Sequence, residues 1–198
     1  LGDLKLFRVP ESVTVRAKGL KQVAFLDKDR VRGELIYEAE CYAYRDYEED
    51  QFDPAQLIFQ TENDEKHGLG VSLPRGGVTV FEPSRAGDLL IGEDEIGDYP
   101  IGQEVEINLA ESTKVFHQCA RSGEVEKSSD DGADWRELRA VITNSGSQRA
   151  RLRLEIGSSI DVEVRRQRGL KLRNGMHAIE ANIEAGKARE FSFWVRGI

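Results

Sequence analysis

Hydrophobic residues recur at every second position in short runs, and each run closes on Gly, Asn, Asp or Pro, the pattern of half-buried β-strands. Val105, Ile107 and Leu109 alternate with Glu104, Glu106 and Asn108, while Leu152, Leu154 and Ile156 alternate with Arg151, Arg153 and Glu155. Ile160, Val162 and Val164 repeat the pattern, as do Ile179, Ala181 and Ile183, then Phe191, Phe193 and Val195. Side chains two apart on a strand share a face, so each set is expected to face one core. No segment carries a helical period. Asn174-Gly175 supplies the positive φ values of a two-residue hairpin, and 144–147, 157–159 and 185–187 are further short turns.

From about residue 112 the chain therefore predicts six or seven strands joined by tight turns, as in an immunoglobulin- or fibronectin-like sandwich. The first part predicts strands near 5–9, 13–17, 21–26, 33–44, 55–62, 78–82 and 89–93, a second sandwich. The expected fold class is all-β, with two packed β-sandwich-like units over 1–110 and 111–198, the second immunoglobulin-like. Two stretches break the spacing: 63–77, which holds a Leu-Pro-Arg-Gly-Gly turn, and 122–134, a polar, acidic segment expected to be a mobile loop.

Several short segments carry a family likeness: Leu1-Gly2-Asp3-Leu4, Val13-Thr14-Val15, Lys21-Gln22-Val23, Phe59 to Asn63, Gly68-Leu69-Gly70, Leu73 to Phe81, Leu90 to Asp94 and Thr143-Asn144. Together they resemble an uncharacterised bacterial family related to mucoidy-inhibitor-like proteins. The resemblance spans nearly the whole chain, and its most specific piece is the Leu-Pro-x-Gly turn running into a strand, followed by Ile-Gly-Glu-Asp. It implies a β-sandwich, often exported, with no established activity and no catalytic residue to carry over. Longer members have an N-terminal coiled coil, and this chain holds no heptad segment. Read from the residues alone, Pro74, Gly76 and Gly77 form a sharp corner that launches the strand after it.

With 198 residues, 39% of them hydrophobic, the chain is large enough to bury a core without a metal or disulfide scaffold, and it is not disordered in the main. No apolar run approaches the roughly 18 residues of a membrane-spanning helix. Because Leu1 is not an initiator methionine, an upstream segment, whether a secretion signal, another domain or a tag, is expected to have been removed; the periplasmic or otherwise exported location expected for the chain is what the family resemblance implies. Cys41 and Cys119 are either one bridge in an oxidising compartment or two buried thiols.

Candidate chemistry is sparse. The three histidines, His67, His117 and His177, sit in no hydrolase, phosphate-binding or metalloprotease motif. His117 and Cys119 fall on one strand face as two zinc ligands would, against the simpler reading of a buried thiol beside a satisfied histidine. The acidic runs 46–53 and 93–98, and Asp130, Asp131 and Asp134, match no calcium-loop spacing and read as solvated loops. No cofactor is expected.

Charge supplies the one asymmetry. The chain has 28 Lys and Arg against 36 Asp and Glu, a net charge of −8, yet 136–173 holds ten basic residues and four acids. Arg149, Arg151 and Arg153 alternate onto one face, and with Arg165 on a neighbouring strand they are the predicted partner-binding residues, for an envelope protein or an anionic polymer. The competing reading pairs these arginines with acids across strands. Nucleic acid is not expected, since the overall charge is negative and the aromatics nearby are too few for stacking; Trp135 and Trp194 read as packing. The expectation is a non-catalytic binding or structural module of an exported bacterial protein, the alternatives being a cell-envelope polymer hydrolase or a carrier of small apolar ligands.

Overall fold

A computed structural model of the chain describes residues 12–21, 26–45, 47, 51–129, 132–165 and 168–198. The strand expected at 5–9 and most of that at 21–26 lie outside these residues, as do Asp46, Asp130 and Asp131. The described residues form no helix and eleven strands: β1 (Glu34–Glu40), β2 (Asp53–Glu62), β3 (Gly76–Ser84), β4 (Gly87–Ile96), β5 (Glu104–Glu126), β6 (Trp135–Asn144), β7 (Ala150–Ser158), β8 (Val162–Arg165), β9 (Leu170–Arg173), β10 (Met176–Ile183) and β11 (Lys187–Gly197). The protein is thus all-β, and no helix among these residues is long and apolar enough to cross a membrane.

Nine strands make one mixed sheet in the order β8-β11-β6-β5-β2-β1-β7-β10-β9, and β3 with β4 makes a separate two-stranded sheet. Every pairing is antiparallel except β1 with β7. The predicted boundary at 110/111 falls inside β5, which pairs with β2 through its first half and with β6 through its second. Strands from both sides of that boundary therefore share a sheet. Between the two halves the register jumps, from Gln56 opposite Glu111 to Pro54 opposite Phe116, so β5 bends over 112–115. Ser112 Oγ holds the bend by accepting the N–H groups of Lys114 and Val115 at 3.1 and 2.8 Å.

The main core gathers one apolar face from both wings of the sheet. Leu138, Ile142, Phe191, Phe193 and Val195 of one wing meet Leu152, Leu154, Ile156, Ile179 and Ile183 of the other. The predicted sets do not all face this one core. Val105, Ile107 and Leu109 turn instead to a second cluster with Leu73, which Val78, Val80, Ile91 and Ile96 of the β3–β4 hairpin cover. Ile160 leaves its set altogether: it sits in the turn before β8 and is exposed.

Alternation also over-predicts at 13–17. No strand forms there, because no partner strand lies beside it among the described residues, and a turn closed by Gly19 N–H to Arg16 O, with Lys18 at φ 62°, ends the run. Conversely, β5 runs on to Glu126 through a bulge after Arg121, so part of the loop expected at 122–134 is strand. The Asn174-Gly175 turn is as expected, with φ of 48° and 81° joining β9 to β10.

Cys41 follows β1 directly, where its N–H donates to Glu155 O at 2.8 Å. That anchoring brings it against the far half of β5, and Cys41 and Cys119 form a disulfide with a Cα separation of 5.5 Å, well inside the range a bridge requires.

Candidate functional site

The parallel pairing of β1 with β7 decides the fate of the predicted basic face. It sets an acidic strand beside a basic one, Glu38 opposite Arg153. Arg153 is only 3% exposed, and its guanidinium donates to Glu38 Oε2 at 2.9 Å and to both carboxylate oxygens of Glu106, at 2.5 and 2.9 Å. Arg151 pairs with Glu34, and Arg173 with Glu104 and, at 2.9 Å, Glu106. Arg149 precedes β7 and is exposed. Arg165 is not on a neighbouring strand: β8 pairs with β11 at the opposite end of the sheet order from β7. There it pairs with Glu126 at 2.7 Å and stacks 4.1 Å above the Trp135 ring and 5.9 Å from that of Trp194. The structure thus does not gather the four arginines, and three of them meet carboxylates.

Electrostatics within this network are uneven. Burial pushes Glu106 up, but hydrogen bonds and charge from two guanidiniums, Arg153 and Arg173, outweigh it and hold the carboxyl below its ordinary value. Glu38 has Arg153 alone, and burial together with the charge of Glu155 raises it.

Beside Glu38, where β1 ends and β5 bends, a cleft of about 280 Å³ opens. Its walls are carboxylate-rich: Glu38 and Glu40 from β1, Asp53 from β2 and Glu111 from β5, with Arg45 and His117. Arg45 pairs with Glu40 at 3.6 Å. His117 stands opposite Asp53 in the β2–β5 register and is 8% exposed, and its Nδ1 has no hydrogen-bond partner. The zinc-ligand alternative for His117 and Cys119 is closed, and so is the reading of Cys119 as a buried thiol, because its sulfur is bonded to Cys41. The sequence had singled out His117, and Asp53 only as the end of the acidic run 46–53, while the carboxylates arrive from three separate strands.

Burial pushes the His117 imidazole below its ordinary value, against the pull of Asp53 and Glu40. Its folded value lies under the unfolded one, so below about pH 6.5 the unfolded chain binds a proton that the folded chain resists, and stability falls as pH drops. In His117→Gln that part of the acid loss disappears; urea denaturation of both chains between pH 7.5 and 5.5 measures the difference in slope.

A second acidic group went unnoticed in the sequence, although its spacing, Glu62-x-Asp64-x-x-His67, was available. Donor atoms of these three residues lie within 4.8 Å of one another, next to a cleft of about 420 Å³ bordered by Glu34 and Glu104. A local turn accounts for its core: Asp64 Oδ1 accepts the His67 N–H at 2.8 Å and lies 2.7 Å from His67 Nδ1. Two of the acids of 93–98, Asp94 and Asp98, are likewise engaged in backbone contacts. Asp94 accepts the N–H groups of Glu95 and Asn108, and Asp98 that of Arg75. Asp134 accepts from Lys127 Nζ and the Ser128 N–H.

No protein-family model matches the chain, and no curated protein and no solved structure matches it.

Proposed function

We propose that this chain is a non-catalytic binding module of an exported bacterial protein, and that its β3–β4 hairpin engages a protein partner of the cell envelope. The observation that carries this reading is the hairpin's own distribution of apolar groups. Its base is packed: Val78, Val80, Ile91 and Ile96 cover the second core, and Gly92 lies so close to Leu109 that a Cβ there would come within 2.6 Å of the Leu109 Cα. Its outer part is not. Phe81 and Leu90, opposed across the two strands, are each more than half exposed, and so is Leu89, which follows on the other face. Among the described residues no third strand joins either edge. Clustered large apolar side chains held out from a fixed base gain nothing in water, and such patches mark contact surfaces. The free edges offer backbone pairing as well.

The disulfide supports an oxidising, exported location. The resemblance to a bacterial family whose members are often exported agrees with it. The immunoglobulin-like sandwich belongs to this proposal too, supported by the way β6 and β11 face β7 and β10 across the main core. An anionic polymer is less favoured, since Arg151, Arg153 and Arg165 are already paired with acids. A carrier of apolar ligands is less favoured because Phe193, Leu138, Ile142 and Leu154 fill the space between the wings.

Capture from a bacterial envelope extract, with the tagged parent chain beside the Phe81→Ser/Leu90→Ser variant, tests the reading. The variant is expected to lose the partner while its stability stays within about 0.5 kcal/mol, as for surface changes in general. Equal capture by both chains would remove the hairpin from the account. The second reading, an envelope-polymer hydrolase, draws on the carboxylate-lined cleft and the raised Glu38. Release of soluble fragments from peptidoglycan by the parent chain, abolished in Glu111→Gln, would establish it in place of the first.

A further inference from the structure

We infer that the outer face of the β3–β4 hairpin binds an extended protein segment in which a Lys or Arg stands two positions before, and another two positions after, an apolar side chain. This rests on the reading of the hairpin as the contact surface and adds what the partner presents there. The strand register divides the hairpin into two faces. Gly92 lies against Leu109, and Asp94 accepts the Asn108 N–H at 2.8 Å and the Asn108 side-chain amide at 3.1 Å, so one face is turned to β5. Residues opposed across two strands share a face, and Thr79 with Glu93, Phe81 with Leu90 and Pro83 with Asp88 make up the other, every one of them exposed. Along it the order is acid, apolar pair, acid. Successive pairs are two residues apart on β3, about 7 Å, so Glu93 and Asp88 flank the Phe81–Leu90 pair on either side.

The charge of the hairpin is one-sided. Its two strands hold five acids and no Lys, Arg or His, and the one base between them, Arg85, sits in the turn at the tip. Glu82, Asp88, Glu93 and Glu95 are exposed and form no ion pair among the described residues. Acids on the large sheet are treated differently: Arg151 meets Glu34, Arg173 meets Glu104 and Arg196 meets Glu163. Carboxylates left unmatched around an apolar pair select by charge. They repel anionic lipid headgroups and the same face of a second copy, and they attract a cationic partner.

Spacing then fixes the partner's pattern. In an extended segment the side chains of one face also recur about every 7 Å, so a base-x-apolar-x-base run laid along the hairpin sets its apolar group on Phe81 and Leu90 and one cation beside each of Glu93 and Asp88. Bases directly adjacent to the apolar residue point to the opposite face and miss both acids.

The test selects a phage-displayed library of random peptides, about twelve residues long, on the immobilised full chain at low salt, and titrates the enriched sequences as free peptides. They are expected to share the base-x-apolar-x-base pattern, to lose binding to Phe81→Ser/Leu90→Ser, and to bind Asp88→Asn/Glu93→Gln more weakly by about fivefold or more, the effect of two exposed ion pairs at low salt. The exposed control Glu184→Gln should bind as the parent does. Selection on Asp88→Lys/Glu93→Lys should enrich acids at the same spacing. Peptides without the paired bases, or peptides that need Phe81 and Leu90 but not the two acids, overturn this inference and leave the hairpin as the contact surface. Peptides indifferent to both sets of variants remove the hairpin as well. Failure to enrich any sequence overturns the inference, as does hairpin-dependent binding to phosphatidylglycerol vesicles or hairpin-dependent dimerisation of the chain in place of peptide binding.

Discussion

Replacing Cys41 and Cys119 with alanine is expected to lower stability by about 2–4 kcal/mol. The bridge joins residues 78 apart, and the chain-entropy treatment of a loop of that length gives about 4.5 kcal/mol, an upper figure because denatured chains keep some order. Both residues also lie in the main core, so alanine leaves a small void in addition. Reduction separates the two contributions. The reduced parent chain keeps both sulfurs in place and loses only the cross-link, so its denaturant midpoint should fall most of the way to that of the double variant. A midpoint unmoved by reduction would mean that the bridge constrains nothing the sheet does not already hold.

Arg153→Met is expected to cost about 3–5 kcal/mol, the range for removing one partner of a buried ion pair. The hydrophobic stem is kept, so the loss comes from Glu38 and Glu106, which are left in a poorly hydrated face with their guanidinium gone. Adding Glu38→Gln and Glu106→Gln should recover most of it, because the stranded charges are then removed together. The effect depends on pH with a definite sign. Glu106 is held below its unfolded value, so its contribution is full above about pH 4.5 and is lost as pH falls through its folded value. The gap between parent and Arg153→Met should therefore be widest near neutrality and narrow below about pH 4.5. Glu38, raised by burial and Glu155, takes up a proton more readily when folded and adds nothing to that acid loss. A gap that stays constant from pH 7 to 4 would contradict the ion-pair account.

Alternation made most strands legible because each buries one face, as the sets on β7, β10 and β11 show. It carries no information on which strand lies beside which. Val13 to Ala17 alternates as well as any segment, yet a strand needs a partner and none pairs with it among the described residues. The same gap explains the arginines. Arg151 and Arg153 were placed on one face correctly, but Glu38 lies 115 residues away and Glu106 lies 47 away, on strands whose register no local pattern discloses. The boundary near 110 came from counting strands, whereas the bend at 112–115 lets β5 serve both sides of it. Its Ser112 turn looks like any polar break in sequence. The cleft was the least legible part: it is made where β1 stops, β2 passes and β5 bends, and of its lining only His117 had drawn notice, beside a cysteine that proved to be bonded elsewhere, and Asp53, as the end of an acidic run read as a solvated loop.

The most direct test of the binding-module account is photocrosslinking in cells, with benzoylphenylalanine in place of Leu90 on the hairpin or in place of Arg149 at the exposed end of the predicted basic face. The account predicts a discrete covalent adduct from position 90 and none from position 149. An adduct from position 149 alone would contradict it and return the working surface to the arginines.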